Sequence, residues 1–97
     1  MLLTNLFQLI NDLDKNFSLF FKPTKDNKTY PIQKITLEST KCILICGKNS
    51  TKTISDLITL LGKIKQKNIP LEIQLSKHIY KIYGLQIDRI NKHLYLK

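Results

Sequence analysis

Cysteine is scarce in this sequence, and long apolar runs are absent. Two cysteines cannot build a disulfide framework. No stretch of about 18 apolar residues exists, which argues against a membrane-spanning helix. The apolar start at 1–16 lacks a basic segment and contains Asp12 and Asp14, so we interpret it as an amphipathic helix and not as a signal peptide. Without an export signal we expect a reducing, cytoplasmic location and no membrane partner.

Acidic residues are also few. The chain of 97 residues has 7 acids against 16 Lys and Arg, a formal net charge of +9. Residues 1–50 carry seven Lys and four acids (net +3), and residues 51–97 carry eight Lys, Arg89 and three acids (net +6). A basic surplus favours polyanions such as nucleic acid. An AT-rich genome, or Lys used for solubility, would give the same composition, and both explanations stay open.

No arrangement of Ser, His, Cys and carboxylates has the spacing of a catalytic site, so we expect no enzyme activity and assign no catalytic residue. Cys42 and Cys46 stand on one predicted strand, about 13 Å apart, which is too far for a disulfide or a shared metal. We expect both to be small apolar core residues. His78 and His93 have no third ligand nearby in sequence, so no metal and no cofactor are expected.

The stretch "ILICGKNSTKT" (43–53) comes close to a phosphate-binding loop. A GxxxxGK[ST] loop needs Gly at position 42 and Ser or Thr at position 49, where this sequence has Cys42 and Asn49. The chain is also too short for the parallel sheet of such folds. We therefore interpret residues 47–52 as a linker, although exposed amides and Lys48 near a helix start would suit a single phosphate group.

The two halves of the chain share an apolar pattern. "YPIQKITL" (30–37) matches "YKIYGLQI" (80–87), and "NLFQLINDL" (5–13) matches "DLITLLGKI" (56–64) with one residue of slip. This similarity predicts a tandem duplication, with one module at 1–46, the linker at 47–52 and a second module at 53–97.

Each module is predicted to be a helix followed by three strands. Apolar residues recur first at helical and then at alternating spacing, and Thr53 with Asp56 fits a capping box. A three-residue step between apolar positions predicts a β-bulge near Gln33–Lys34 and another near Tyr83–Gly84. The predicted fold class is α+β: two mainly antiparallel sheets, each with one helix packed on it, that join through their edges within the chain or between chains.

The strand phases separate an inner from an outer face in the second module. The inner set is predicted to be Leu71, Ile73, Leu75, Tyr80, Ile82, Leu85, Ile87, Leu94 and Leu96. The outer face combines aromatic rings for base stacking with cations for phosphates. The candidate nucleic-acid contacts are Lys81, Tyr83, Arg89, His93, Tyr95 and Lys97. Tyr and Lys are also ordinary residues of an exposed strand.

The corresponding outer face of the first module carries Phe20, Ile43 and Ile45. Three apolar side chains on one exposed face usually mark an interface, so these residues are candidates for contact with the second module or with another chain.

The segments "LFQLINDLDKN", "FSLFFK" and "YPIQKITL" resemble small uncharacterised proteins of Gram-positive bacteria and their phages, in which a helix precedes three strands. The second half departs from this pattern, with Lys81 where the first has Pro31. The resemblance implies a compact α+β module from a mobile element and supplies no site residues.

Two functions follow as expectations. The first is a small basic accessory protein that binds nucleic acid, whether DNA or RNA. The alternative is a protein-interaction module, an inhibitor or assembly factor, that docks a partner or a second copy through an apolar sheet face or a sheet edge.

Overall fold

The computed structural model describes residues 1–25, 27–38, 40–65 and 67–97. In these four ranges, two short α-helices and seven β-strands follow one another. Their bounds are α1 Leu3–Ile10, β1 Ser18–Phe21, β2 Tyr30–Leu37, β3 Cys42–Cys46, α2 Ile54–Leu61, β4 Leu71–Leu75, β5 His78–Lys81, β6 Leu85–Asp88 and β7 His93–Leu96.

All seven strands belong to one mixed sheet, which curls into a half-barrel with the strand order β5-β4-β3-β2-β1-β7-β6. Four neighbouring pairs are antiparallel. The pairs β3–β4 and β1–β7 are parallel, and each joins a strand from the first half of the chain to one from the second. The predicted fold class, a tandem duplication of a helix–strand–strand–strand module with mainly antiparallel sheets and a helix on each, is therefore wrong. Four strands and not three follow α2, and strands of both halves share one sheet.

The physical reason lies in the strand edges. A separate three-stranded sheet in each half would leave two rows of unpaired backbone N–H and C=O groups. Pairing of Leu44 with Ile73 and of Leu19 with Leu94 removes such edges within the chain. Lys52, in the predicted linker, also bonds to both sides: its N–H donates to the Ile32 carbonyl at 2.7 Å, and its carbonyl accepts from the Leu19 N–H at 2.8 Å.

The second helix begins at the capping box that the sequence predicts. The Thr53 hydroxyl accepts a hydrogen bond from the Asp56 backbone N–H at 3.3 Å, and the Asp56 carboxylate accepts one from the Thr53 backbone N–H at 2.9 Å. These two reciprocal bonds satisfy donors that a helix start leaves unpaired. The prediction is confirmed.

Both helices lie at the end of the half-barrel where β1 and β4 begin. The Leu3 N–H donates to the Ile69 carbonyl, just before β4, at 2.9 Å. The Ile54 N–H donates to the Phe17 carbonyl, just before β1, at 3.0 Å. Within the described ranges, no helix is long and apolar enough to cross a membrane.

Buried side chains of both halves form one hydrophobic cluster. It includes Leu3, Leu6 and Ile10 of α1, Ile54, Leu57 and Leu61 of α2, and Leu19, Phe21, Ile32, Leu44, Leu71, Ile73, Leu94 and Leu96 of the strands. Two residues of the predicted inner set are exceptions, since Tyr80 is 36% and Ile87 40% exposed. Both lie on β5 or β6, the terminal strands of the sheet, where a neighbouring strand is present on one side only.

The first predicted bulge is confirmed, and the second is wrong. Ile32 pairs with Cys46 and Lys34 with Ile45, so Gln33 is the extra residue on β2. At 82–84 the strand breaks instead of bulging, and β5 and β6 pair with different neighbours. A break can redirect the chain where a bulge only bends it.

The bulge brings Gln33 against Gly47, which leads to a first prediction. A Cβ at position 47 would lie 1.5 Å from the Gln33 Oε1 and 2.8 Å from the Gln33 Cβ. Gly47→Ala is expected to lower the free energy of unfolding by about 1–3 kcal/mol, the usual cost of overpacking. Urea unfolding followed by circular dichroism measures this change. In a Gln33→Gly background the same substitution is expected to cost less than half as much, and an equal cost would contradict the proposed clash.

Candidate nucleic-acid interface

One end of the half-barrel, which we call the open end, is where β1, β3, β4 and β7 finish and β2, β5 and β6 begin. The register places these termini side by side: Phe21 pairs with Tyr30 and with Leu96, and Leu75 pairs with His78. Both helices begin at the opposite end, so the described residues of the open end belong to loops and strand termini.

The charged residues are divided unequally between the two ends. Lysines cluster in the segments of the open end: Lys22, Lys25, Lys28, Lys48, Lys77 and Lys97. The acids of the described ranges lie at or towards the opposite end: Asp12, Asp14, Glu38, Asp56, Glu72 and Asp88. Asp26, the remaining acid, falls outside the described residues. Six lysines without a described acid among them favour the binding of anions at the open end.

The ion pairs among the described residues reinforce this division. Lys41 lies 3.1 Å from the Glu72 carboxylate, and Lys92 lies 3.6 Å from that of Asp14. Both pairs are near the starts of strands β3, β4, β1 and β7, away from the open end. Lys25, Lys48, Lys81 and Lys97 take part in neither.

A cavity of about 410 Å³ runs from this end towards Lys81, the last residue of β5. We call it the tyrosine cavity; its lining is Phe21, Pro23, Thr24, Lys25, Leu75, Tyr80, Lys81, Tyr83 and Lys97. Its volume lies within the range of about 300–1,000 Å³ that small ligands occupy. No acid lines it among the described residues. The walls therefore combine aromatic rings, aliphatic groups and three ammonium groups.

The strand break at 82–84 builds one wall of the tyrosine cavity. The Tyr83 N–H donates to the Lys97 carbonyl at 2.6 Å, which fixes the backbone of Tyr83 beside the end of β7. Its side chain remains 84% exposed. The Tyr80 ring lies 5.3 Å from the Phe21 ring, measured between centroids, and is held by this contact. One tyrosine is thus fixed by packing, whereas the other presents its ring to solvent.

Three of the six predicted nucleic-acid contacts, Lys81, Tyr83 and Lys97, meet in the tyrosine cavity. His93 and Tyr95 lie on the outer face of the sheet with Phe20, in what we call the outer aromatic cluster. The Phe20 ring centroid is 4.5 Å from that of His93 and 5.8 Å from that of Tyr95. Phe20, predicted as a protein contact, therefore shares a surface with two predicted nucleic-acid contacts.

Lys22 connects this cluster to the tyrosine cavity. Its ammonium lies 5.3 Å from the centroid of the Tyr95 ring, a cation–π distance, and 3.5 Å from the Gln86 amide oxygen. The next residue, Pro23, lines the cavity. The His93 Nδ1 and the Tyr95 hydroxyl are 3.1 Å apart, which holds both rings in place.

Arg89 lies apart from these residues, in the turn between β6 and β7 at the opposite end. Asp88 organises this turn, since its carboxylate accepts hydrogen bonds from the Asn91 side chain and from the backbone N–H groups of Asn91 and Ile90. These bonds, led by that of the Asn91 side chain, lower the pKa of Asp88. Asp88 and Asn91 thus hold the turn together, and Arg89 is a residue within it.

The other two predicted interface residues are on β3. Ile43 lies between Thr36 and Glu72 in the register and is only 6% exposed. Ile45 is half-buried between Lys34 and Gln74. Strand β2 separates both from Phe20, so Ile43 and Ile45 belong to a different part of the outer face.

Sequence reasoning missed six of the nine residues that line the tyrosine cavity, among them Tyr80, Lys25 and Phe21. Tyr80 was expected inside the core. The strand break that follows it at 82–84, which leaves Tyr80 36% exposed, was not predicted. Lys25 lies between β1 and β2, and Phe21 is a buried core residue that also lines the cavity. The signal that could have found them is the concentration of Lys around the turn at 22–28.

The cysteines are both free. Burial raises the pKa of the Cys42 and Cys46 thiols to about 11, so both are neutral at physiological pH. Cys42 belongs to the hydrophobic cluster and Cys46 packs against it, as predicted for small apolar residues. In the part of the chain that the structure describes, no three His, Cys, Asp or Glu side chains come together as a metal site would need.

Comparisons with protein families, with curated proteins and with solved structures found no match for this chain.

Proposed function

We propose that this protein binds single-stranded nucleic acid at its open end, as an accessory protein of the kind that phages and other mobile elements carry. The observation that supports this function is the composition of the tyrosine cavity. Tyr80 and Tyr83 line it together with Lys25, Lys81 and Lys97. Glu72 lies across from Lys81 in the β4–β5 pair, but its carboxylate is 3.1 Å from the Lys41 ammonium, which offsets its charge. Stacked bases and neutralised phosphates are the two contacts that such proteins use.

The preference for a single strand follows from the shape of the site. An exposed ring such as Tyr83 can stack only on a base whose face is free, and the bases of a duplex already stack on each other. A cavity at a rim of loops also admits a flexible strand more easily than a rigid double helix. The outer aromatic cluster, joined to the cavity by Lys22, would extend the contact along the strand.

Fluorescence anisotropy with labelled single-stranded and duplex oligonucleotides tests this function. With about three phosphates neutralised, raising the salt from about 50 to 200 mM is expected to weaken single-strand binding about tenfold to twentyfold. Tyr83→Ala is expected to weaken it about tenfold, since a stacked base contributes about 1–3 kcal/mol. Ile90→Ala is the matched control, because Ile90 is an exposed apolar side chain, 94% accessible, in the turn at the opposite end. Equal binding by wild type and Tyr83→Ala, or tighter duplex binding, would count against the proposal.

A second candidate is a protein-interaction module that accepts an extended peptide at the free edge of β5. One observation favours it: β5 is a terminal strand, and all four of its residues are exposed, with Ile79 at 49%. Such strand addition relies on backbone hydrogen bonds and apolar contacts. Absence of oligonucleotide binding at low salt would favour this candidate over the first.

A further inference from the structure

A second cavity, of about 620 Å³, adjoins the tyrosine cavity at the open end. The two share Leu75. The second one, which we call the Gly47 cavity, lies between the start of β2, the end of β3 and the turn from β4 to β5. Its lining is Lys28, Thr29, Tyr30, Pro31, Cys46, Gly47, Lys48, Leu75 and Ser76.

The chemistry of this lining suits an anion rich in oxygen. Lys48 brings an ammonium group, and Thr29 and Ser76 bring two hydroxyl donors. No acid lines this cavity among the described residues. Cys46 adds no negative charge either, since burial raises the pKa of its thiol to about 11. Phosphate oxygens accept hydrogen bonds from ammonium and hydroxyl groups alike.

The backbone around the cavity is fixed on both sides. The Gly47 N–H donates to the Pro31 carbonyl at 3.0 Å, and Gln33 fills the space that a side chain at position 47 would need. The backbone next to Lys48 is therefore held in a fixed position. Across the cavity, Ser76 has a φ of 59°, and its carbonyl accepts from the Gln74 amide at 3.4 Å.

The conformation of Ser76 is the more informative of these two features. A left-handed φ favours Gly or Asn and costs a serine about 1 kcal/mol or more. The two-residue turn between β4 and β5 accounts for this φ and places Ser76 on the cavity wall. Ser76 lines the same cavity as Lys48, and its hydroxyl is a donor that Gly would not supply.

We propose that the Gly47 cavity is a phosphate-binding site in which Lys48, Thr29 and Ser76 hold the oxygens. This proposal rests on the proposed function only for the source of the phosphate. A nucleotide whose base stacks in the tyrosine cavity would place a phosphate in the adjoining Gly47 cavity. The phosphate is either an internal phosphodiester or the terminal phosphate of a strand.

A titration of the full chain with inorganic phosphate, followed by ¹H–¹⁵N NMR, tests the site. We expect saturable shifts of the amides of Gly47, Lys48 and Ser76. Lys48→Gln is expected to raise the Kd for phosphate about fivefold to tenfold, the loss of one charged hydrogen bond. Lys63→Gln, which removes the same charge after the end of α2, is expected to leave it unchanged. Ser76→Gly relieves the backbone and removes only the hydroxyl, so weaker phosphate binding by a stable Ser76→Gly chain would support the assignment.

Two results would overturn it. One is a set of shifts spread over many lysines without saturation, and the other is an equal effect of Lys48→Gln and Lys63→Gln. Phosphate binding that depends on Lys48 in a chain that binds no oligonucleotide would support the site and reject the proposed function. Oligonucleotide binding that depends on Tyr83 but not on Lys48, with no saturable phosphate binding, would support the proposed function and reject the phosphate site.

The source of the phosphate follows from a second arm with two oligonucleotides that differ only in a 5′-phosphate. If the 5′-phosphate tightens binding and Lys48→Gln removes the gain, the site holds a terminal phosphate. If Lys48→Gln weakens both oligonucleotides equally, it holds an internal one. A Lys48→Gln chain that binds both oligonucleotides as tightly as wild type does would count against the site.

Discussion

Replacing Leu44 by Ala is expected to lower the free energy of unfolding by about 3 kcal/mol, the usual cost of a cavity in a packed core. Leu44 is fully buried. It stands on β3 between Ile35 on β2 and Ile73 on β4, so it touches both halves of the chain. The loss is therefore expected to destabilise the whole molecule in one transition. Urea unfolding followed by circular dichroism measures the free energy of unfolding and the number of transitions. Amide hydrogen exchange of β1 and β5 shows whether both halves open together.

Leu37→Ala serves as the control for this prediction. Leu37 lies on the neighbouring strand and is 44% exposed, so the same chemical change is expected to cost less than about 1 kcal/mol. The informative outcome is the number of transitions. If residues 53–97 unfolded at lower urea than residues 1–46, the two halves would be separate folding units. A single transition means that the one hydrophobic cluster acts as one core.

The local features of the fold could be predicted from the sequence, and the strand partners could not. The capping box of Thr53 and Asp56 and the bulge at Gln33 each depend on residues within a few positions of each other. The parallel pairing of β3 with β4 and of β7 with β1 joins distant segments, and no local pattern specifies which edge a strand will choose. The alternation of apolar residues correctly predicted which face of β1 is buried. It did not indicate that β7 would pair with β1.

The candidate site divides in the same way. Aromatic and basic residues of the second half predicted a binding surface, and Lys81, Tyr83 and Lys97 do come together. The sequence assigned His93 and Tyr95 to the same surface, because a continuous strand was expected. The break at 82–84 separates them, and the parallel pairing of β1 with β7 brings Phe20 to them instead. Pro23, Thr24 and Lys25 also line the tyrosine cavity. Their presence there could be found only from the order of the strands in the sheet.

Reversing three charges at the tyrosine cavity is expected to have the largest effect on binding. In the variant Lys25→Glu, Lys81→Glu and Lys97→Glu, three attractive contacts with phosphates become three repulsive ones. We expect the affinity for single-stranded oligonucleotides at low salt to fall by at least about 100-fold, and the slope of log affinity against log salt to shrink by about two. Fluorescence anisotropy over a series of salt concentrations measures both values.

A matched variant separates a site from a general attraction. Lys15, Lys63 and Lys65 are exposed and lie outside the open end, and reversing these three to Glu lowers the formal net charge from +9 by the same six charges. If nucleic acid is held by total charge alone, both variants will lose affinity equally, because counterion release does not depend on where a diffuse contact forms. If the strand runs through the tyrosine cavity, the variant at positions 25, 81 and 97 loses far more than its partner. Circular dichroism of both variants must show the wild-type fold, since Lys81 lies across from Glu72 in the β4–β5 pair and its replacement by Glu sets two like charges opposite each other.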